Sequence, residues 1–328
     1  MNRRTLLKNT AAAALGASLP LKDVFAAQTK VSNETLNGYL RFNLGELKML
    51  IVTDGHILVS PAQPIFAPQI DTEQVREVMK ENFIFDDNVD AAINILVIRK
   101  EDRIIVIDTG SGALLGSNAG RFLNNLQAAG IAPDEVTDVL LTHLHIDHIG
   151  GILDAAGERV FSNASYYLSK EEYDFWMADD PDFSKSKNPN SGKESVMLAR
   201  RVMTEIHSKL HLFNLGTVLF DCIKTDLAAG HTPGHPVLTI FSGEFKLKHM
   251  VDTVHHTLLL ARPDWGTQWD TDFEKGIRTR QQILSELATE RQLVMSCHLP
   301  WPGLGYVSRK KIGYGWIPMP FSTPLLFE

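Results

Sequence analysis

The run His143-Leu144-His145-Ile146-Asp147-His148-Ile149-Gly150-Gly151 constrains this chain more than any other segment. It follows Val139-Leu140-Leu141, an apolar stretch that reads as a short buried strand delivering Thr142 and His143 at its end. A loop at a strand end can turn alternate and consecutive side chains into one space, which is what a multidentate metal site requires. Imidazole nitrogen and carboxylate oxygen are ligands for zinc and similar borderline cations. The two cysteines, Cys222 and Cys297, are too few for a disulfide framework, a Cys-rich zinc site or an iron–sulfur cluster. They read as buried small hydrophobes.

Around that run the pattern is one of strands, helices, strands and helices. Residues 46–52 and 56–59 flank Asp54-Gly55, a hairpin turn signal, and 93–98 and 104–107 repeat the scheme around 100–103. Phe122, Leu123, Leu126 and Ala129 fall at helical spacing, and Gly130 supplies a left-handed stop. Ser169 with Glu172 forms a capping box for a helix through Trp176. Long helices are expected at 194–210 and around Phe273, Ile277, Leu284 and Leu287, with short strands at 218–227, 237–241, 245–250 and 293–296. Prolines, asparagines and charges at 178–193 have no core-forming period and predict a mobile flap. The tail, 301–327, is expected to lie extended over the surface. Two similar passes predict a mixed α/β (α+β) fold, a four-layer αββα sandwich with helices outside two packed sheets, as one domain over 27–328.

The N-terminus reads as a cleaved twin-arginine export signal over 1–26: Arg3, Arg4, Leu6, Leu7 and Lys8, a weakly apolar run at 11–19, then Ala26 and Ala27. Periplasmic or secreted localisation follows as the expectation. No apolar run is long enough for a membrane span. The formal charge is −7, and removing Arg3, Arg4, Lys8 and Lys22 together with Asp23 leaves −10. This argues against a protein that tracks nucleic-acid phosphates, which needs a positive footprint. The expected partner is a small-molecule substrate, and a homodimer is the candidate assembly.

The pattern H-x-H-x-D-H-x-G-G, with Asp108-Thr109-Gly110 upstream and Gly230-His231-Thr232-Pro233-Gly234-His235 downstream, resembles the metallo-β-lactamase superfamily of αββα metallohydrolases. The likeness runs from about Leu47 to Tyr306. Leu114-Leu115-Gly116, Asp174-Phe175-Trp176, and His298-Leu299 before Pro302-Gly303 are most similar to periplasmic phosphotriester hydrolases of the methyl parathion hydrolase kind. The resemblance implies that His143, His145 and His231 bind one divalent cation and that Asp147, His148 and His298 bind a second. Asp252 would bridge them, and both cations would be zinc. It implies that Asp108 orients a ligand histidine and that His235 is structural. Trp176, with Phe175, would stand on the pocket wall, although a core position suits an aromatic on a capped helix equally well. The family's bridging aspartate usually follows glycine; here Val251 precedes Asp252. His56, His207, His211, His249, His255 and His256 read as surface or locally hydrogen-bonded histidines.

Two cations sharing one water would give a bridging hydroxide at neutral pH, so Asp147 and Asp252 would serve catalysis as ligands and no serine nucleophile is needed. The resemblance thus implies a hydrolase of neutral ester-type substrates: organophosphate triesters, lactones or aryl esters. A glyoxalase II-like thioester hydrolase and a mono-iron persulfide dioxygenase share the ligands and stand as alternatives.

Overall fold

Side-chain alternation assigns each strand's residues to layers, and three separate apolar cores follow from it. The computed structural model describes residues 38–188 and 192–320. The first sheet runs in chain order: β1 (Tyr39–Leu44), β2 (Leu47–Val59), β3 (Val89–Lys100), β4 (Arg103–Ile107), β5 (Asp138–Leu140), β6 (Ser165–Ser169) and β7 (Leu210–Phe213). It is antiparallel as far as β4 and parallel thereafter. The second sheet holds β8 (Val218–Leu219), β9 (Ile223–Leu227), β10 (Pro236–Ser242), β11 (Phe245–His249), β12 (Leu293–Met295), β13 (Leu304–Arg309) and β14 (Tyr314–Pro318), again in chain order. Only its β11–β12 pairing is parallel.

In the first sheet Met49, Ile51, Ile105 and Ile107 point between the sheets, where they meet Leu238, Ile240, Leu247 and Met295 of the second. Their neighbours Leu50, Val52, Ile104 and Val106 point outward into a core closed by α2 (Phe122–Ala128), α4 (Lys170–Met177) and α5 (Gly192–Ile206). On the far side Val237, Val294 and Val307 face α6 (Thr257–Ala261) and α7 (Phe273–Glu290). Two further helices are α1 (Thr72–Glu81) and the one-turn α3 (Ile146–Ile149). The result is the four-layer αββα sandwich that the sequence pattern predicts.

Two expectations give way. Asp54-Gly55 is not a hairpin turn: β2 runs straight through it, with a bulge between Thr53 and Gly55 where the register to β3 shifts. The reversal instead occupies Gly45-Glu46, between β1 and β2. The bulge exists because Asp54 turns inward, fully buried, and accepts hydrogen bonds from Ser111 N–H, Ser111 Oγ–H and Phe122 N–H. Gly55 sits at φ +122°, and a Cβ there would stand 2.1 Å from the Asn118 carbonyl oxygen, so only glycine fits. The tail is not a surface coil either. Its residues form β13 and β14, which extend the second sheet and bury Leu304 and Val307. Residues 1–26, the 189–191 part of the flap and the tail beyond 320 lie outside the described residues.

Asp54 therefore ties β2 to the loop beneath the histidine run. Asp54→Ala leaves two buried N–H groups without acceptors, and should lower unfolding free energy by roughly 2–4 kcal/mol. Urea denaturation checks this, and a change below about 0.5 kcal/mol would mean the loop relaxes to satisfy them.

Candidate metal centre

The short β5 ends at Leu140, and the chain continues through Thr142 into the loop that carries His143 and His145 and then into α3, which carries Asp147 and His148. The loop can settle onto the 109–111 segment because it ends in glycines: a Cβ at Gly151 would lie 2.1 Å from the Thr109 carbonyl oxygen. The second sheet brings the rest. His231 lies between β9 and β10, Asp252 just beyond β11 and His298 just beyond β12.

These residues converge. His143 Nε2, His145 Nδ1 and His231 Nε2 form a triangle with edges of 3.1, 2.8 and 3.2 Å. Asp147, His148, Asp252 and His298 form a second donor group beside it. Asp252 faces both: Oδ2 is 3.6 Å from His143 Nε2, 3.4 Å from His231 Nε2 and 3.0 Å from His298 Nε2, while Oδ1 is 3.3 Å from His148 Nε2. Asp221 and Asp226, the acids that most nearly precede His231 in the chain, lie elsewhere: Asp221 is exposed beside Lys100 and Asp226 is paired with Lys224 and Lys248.

The outward ring nitrogens decide what the inward ones can be. His231 Nδ1 faces Asp270 Oδ1 at 3.0 Å, His148 Nδ1 faces Asp108 Oδ2 at 2.8 Å, and His298 Nδ1 faces the Ala92 carbonyl at 2.7 Å. Thr142 Oγ1 donates to Asp108 Oδ2, so it accepts from His143 Nδ1 at 3.0 Å. Each outward nitrogen thus carries the proton, and in a neutral ring Nε2 is a lone pair. The lone pairs of these four rings then face one another and two carboxylates at 3.0 to 3.6 Å, an arrangement that repels unless a cation or a proton stands among them. Donors 2.0–2.1 Å from a tetrahedral zinc ion are about 3.3–3.4 Å apart, so the spacing suits one. His148 Nε2 and Asp252 Oδ1 are buried without a hydrogen-bond partner among the described residues, as coordinating atoms would be.

Burial, reinforced by neighbouring imidazoles, pushes His143 and His231 well below the ordinary histidine value and takes His145 to about 4. Burial alone would raise the Asp252 carboxyl, but His148, His298 and His143 hold it well below the usual carboxylate range. At these four groups the unprotonated form that binds a cation is favoured. His148 and His298 go the other way: against burial, Asp252 and Asp147 raise both above the ordinary histidine value, His148 well above it, so that without an ion a proton balances the carboxylates there.

Three participants escape the sequence reading. Asp270, far along the chain, orients His231 and is itself held beside buried Arg280. Glu172 starts half of the expected capping box, since Ser169 Oγ accepts from its N–H, but its carboxylate turns inward. There it accepts from Leu144 N–H, Trp176 Nε1–H, Thr232 Oγ1–H and Gly234 N–H, lashing the 143–148 loop to the 231–235 loop. Burial pushes this carboxyl up to about 7, against those four donors. His255, expected on the surface or in local hydrogen bonds, is instead buried against the donor groups, 3.4 Å from Asp252 Oδ2.

Trp176 corrects another expectation. It is fully buried, its edge against the His145 ring and its N–H on Glu172, so it braces a candidate ligand from behind and does not border an open pocket. Phe175, half-buried, packs with Phe183 of the flap segment, whose residues 178–188 form neither helix nor strand. His235 donates from Nδ1 to the Ala228 carbonyl and accepts at Nε2 from Asp252 N–H.

Val251 adopts φ +47°, in the left-handed region that a β-branched residue rarely enters and glycine enters freely. Its N–H reaches His249 Nδ1 and its side chain fills the core between the sheets. Val251→Gly should therefore be at least as stable as Val251→Ala by thermal denaturation, reversing the usual order in which glycine loses by about 0.4–1 kcal/mol. An alanine variant more stable than the glycine one would deny the strain.

Comparison with known proteins places this geometry. Residues 89–255 match the metallo-beta-lactamase superfamily. AidC, a dizinc quorum-quenching lactonase solved with the product N-hexanoyl-L-homoserine, aligns with a TM-score of 0.82 at 37% identity, over 87% of this chain and 99% of that one. AbOPH, a hydrolase in the beta lactamase superfamily, aligns with a TM-score of 0.80 at 28% identity, over 88% and 100%. A probable metal-dependent hydrolase from Staphylococcus aureus, at 19% identity and a TM-score of 0.68 over 86% and 100%, shares the fold. No curated protein matches the chain. With the family match spanning half the chain and the likeness to AidC nearly all of the described residues, the protein is a hydrolase of the metallo-β-lactamase superfamily.

Proposed function

We propose that this chain hydrolyses neutral esters, lactones first and aryl esters and phosphotriesters beside them, with two divalent cations, zinc foremost. His143, His145 and His231 would hold one cation and Asp147, His148 and His298 the other, with Asp252 shared. The observation that carries the reading is the pair of donor groups meeting at one buried carboxylate, their histidines turned lone-pair-inward by Asp108, Asp270, Thr142 and the Ala92 carbonyl. Cations so held would supply Lewis acidity and would lower the pKa of bound water from 15.7 toward about 7.

The chain's own contribution is to fix those donors and keep them dry. Asp108 serves both groups at once, holding His148 directly and His143 through Thr142. Glu172 and Asp270 fix the loops on either side. The preference for neutral substrates rests on charge. Arg280, buried beside the centre, is turned toward Asp270 and the carbonyls of Thr253 and Trp265, so it is not presented to an anion. A net charge of −7 gives no long-range attraction for polyanions. Lactones come first because AidC, at 37% identity, is a lactonase.

Elemental analysis of mildly purified protein should find close to two divalent cations per chain, removable by chelator together with activity. Asp252→Ala should lower kcat/KM by more than about 10²-fold while the far-ultraviolet circular dichroism stays native. A single iron per chain, or a fully active Asp252→Ala protein, would overturn the dinuclear reading.

A panel of kcat/KM values on metal-saturated protein tests substrate class, because each ratio is a difference in transition-state stabilisation. An acyl-homoserine lactone, an aryl ester and a phosphotriester should lead. A lead for thioesters or for phosphodiesters would displace the ester assignment.

A further inference from the structure

A cavity of about 370 Å³ opens behind the histidine run, on the helix-covered side of the first sheet, and none of the candidate metal ligands lines it. Phe122 and Leu123 of α2 form one wall, Leu198 and Val202 of α5 the other. Phe161, fully buried and tilted against Phe122 at 6.3 Å, belongs to its inner end. Leu114, 49% exposed, belongs to its mouth. The floor is backbone: Gly150 and Gly151, which end the histidine run, rest on the segment of Thr109, whose N–H donates to the His148 carbonyl. The volume is that of small-molecule sites, which are apolar in the main and carry a few polar groups that fix orientation.

The charged groups on the lining decide what head such a molecule carries. Asp54 is spent on Ser111 and Phe122, and Asp154 accepts from the N–H groups of Ala156 and Glu158. Arg201 is the one cation on the lining. It is exposed and has no ion pair or hydrogen bond among the described residues. It reaches from α5 toward the turn after Leu153, where a Cβ on Gly157 would stand 3.2 Å from Arg201 Nη2. A planar guanidinium pairs with a carboxylate through two parallel N–H···O bonds. One unpaired cation balances one negative charge, which favours a carboxylate over a dianionic phosphate monoester. The branched aliphatic side chains on both walls favour an acyl chain over water.

We propose that this cavity binds an aliphatic monocarboxylate, with its chain between α2 and α5 and its carboxylate on Arg201. The site goes beyond the ester-hydrolase reading and does not depend on it. Its occupant lies behind the segment that carries His143, His145, Asp147 and His148, against Gly150 and Gly151.

Octanoate, titrated calorimetrically into the metal-loaded full chain, is the test molecule. Hexanoate, shorter by two methylenes, should bind about tenfold more weakly. Arg201→Gln should weaken octanoate about two- to fivefold, the range of an exposed ion pair, and leave octanol unchanged. Leu198→Trp, which fills the space, should abolish octanoate binding while cation content and far-ultraviolet circular dichroism stay those of the parent. Ala113→Phe, on the lining but outside the helices, should do the same if the tryptophan disturbs folding. In crystals soaked with 8-bromooctanoate, the anomalous signal of bromine should fall between α2 and α5. Bromine only at the metal centre, or octanoate binding untouched by both filling variants, would overturn the site. Bromine in the cavity without a calorimetric signal would mean binding at crystal concentration only, and residues before Gly38 found there would make the chain its own occupant; either overturns the proposal. Unchanged octanoate affinity in Arg201→Gln would overturn the carboxylate assignment.

Discussion

The rest of the structure is arranged around one electrostatic demand: several imidazole lone pairs and two carboxylates must occupy a volume from which water is largely excluded. Left to itself that arrangement flies apart. Four polar groups oppose this by acting on the outer side of a ligand candidate. Asp108 grips His148 and, through Thr142, His143; Asp270 grips His231; the Ala92 carbonyl on β3 grips His298. The tautomers are thus set by the scaffold before anything binds, which is the preorganisation that makes metal affinity and electrostatic catalysis strong.

Such a scaffold accepts local costs. Glu172 and Asp270 are buried carboxyls, each pushed up to about 7 by burial, and Asp270 is retained by Arg280 while Glu172 is retained by four donors. Val251 accepts a left-handed backbone so that its N–H and that of Asp252 can meet His249 and His235. These are the positions at which local preference and global geometry disagree, and they surround the centre, as strained and polar buried sites commonly do.

Legibility in the sequence follows contact distance along the chain. The 143–148 cluster was readable because one loop carries all of its donors, and the strand and helix periods around it gave the four layers. Asp270, Glu172 and His255 were not, because each joins the centre through folding rather than spacing. Nothing local distinguishes Glu172 from an ordinary helix-capping acid. Asp54-Gly55 misled for the converse reason: its local signal is that of a turn, and only the buried Ser111 and Phe122 donors convert it into a bulge. Trp176 was readable as an aromatic beside the site, but whether it faces solvent or core depends on α5 and the flap packing over it.

The two sheets are built from successive halves of the chain, and their strand orders never interleave. During synthesis the first sheet can therefore be complete once Phe213 has emerged, with His143, His145, Asp147 and His148 already displayed beyond the end of its interior strand β5. The other half of the centre arrives late, His298 only after β12. On the proposed reading a nascent chain would hold an unfinished chelator for much of its translation, able to grasp ions loosely and in the wrong number. Loading of the proposed centre would then be a late event, coupled to the docking of one sheet on the other and not to the formation of either.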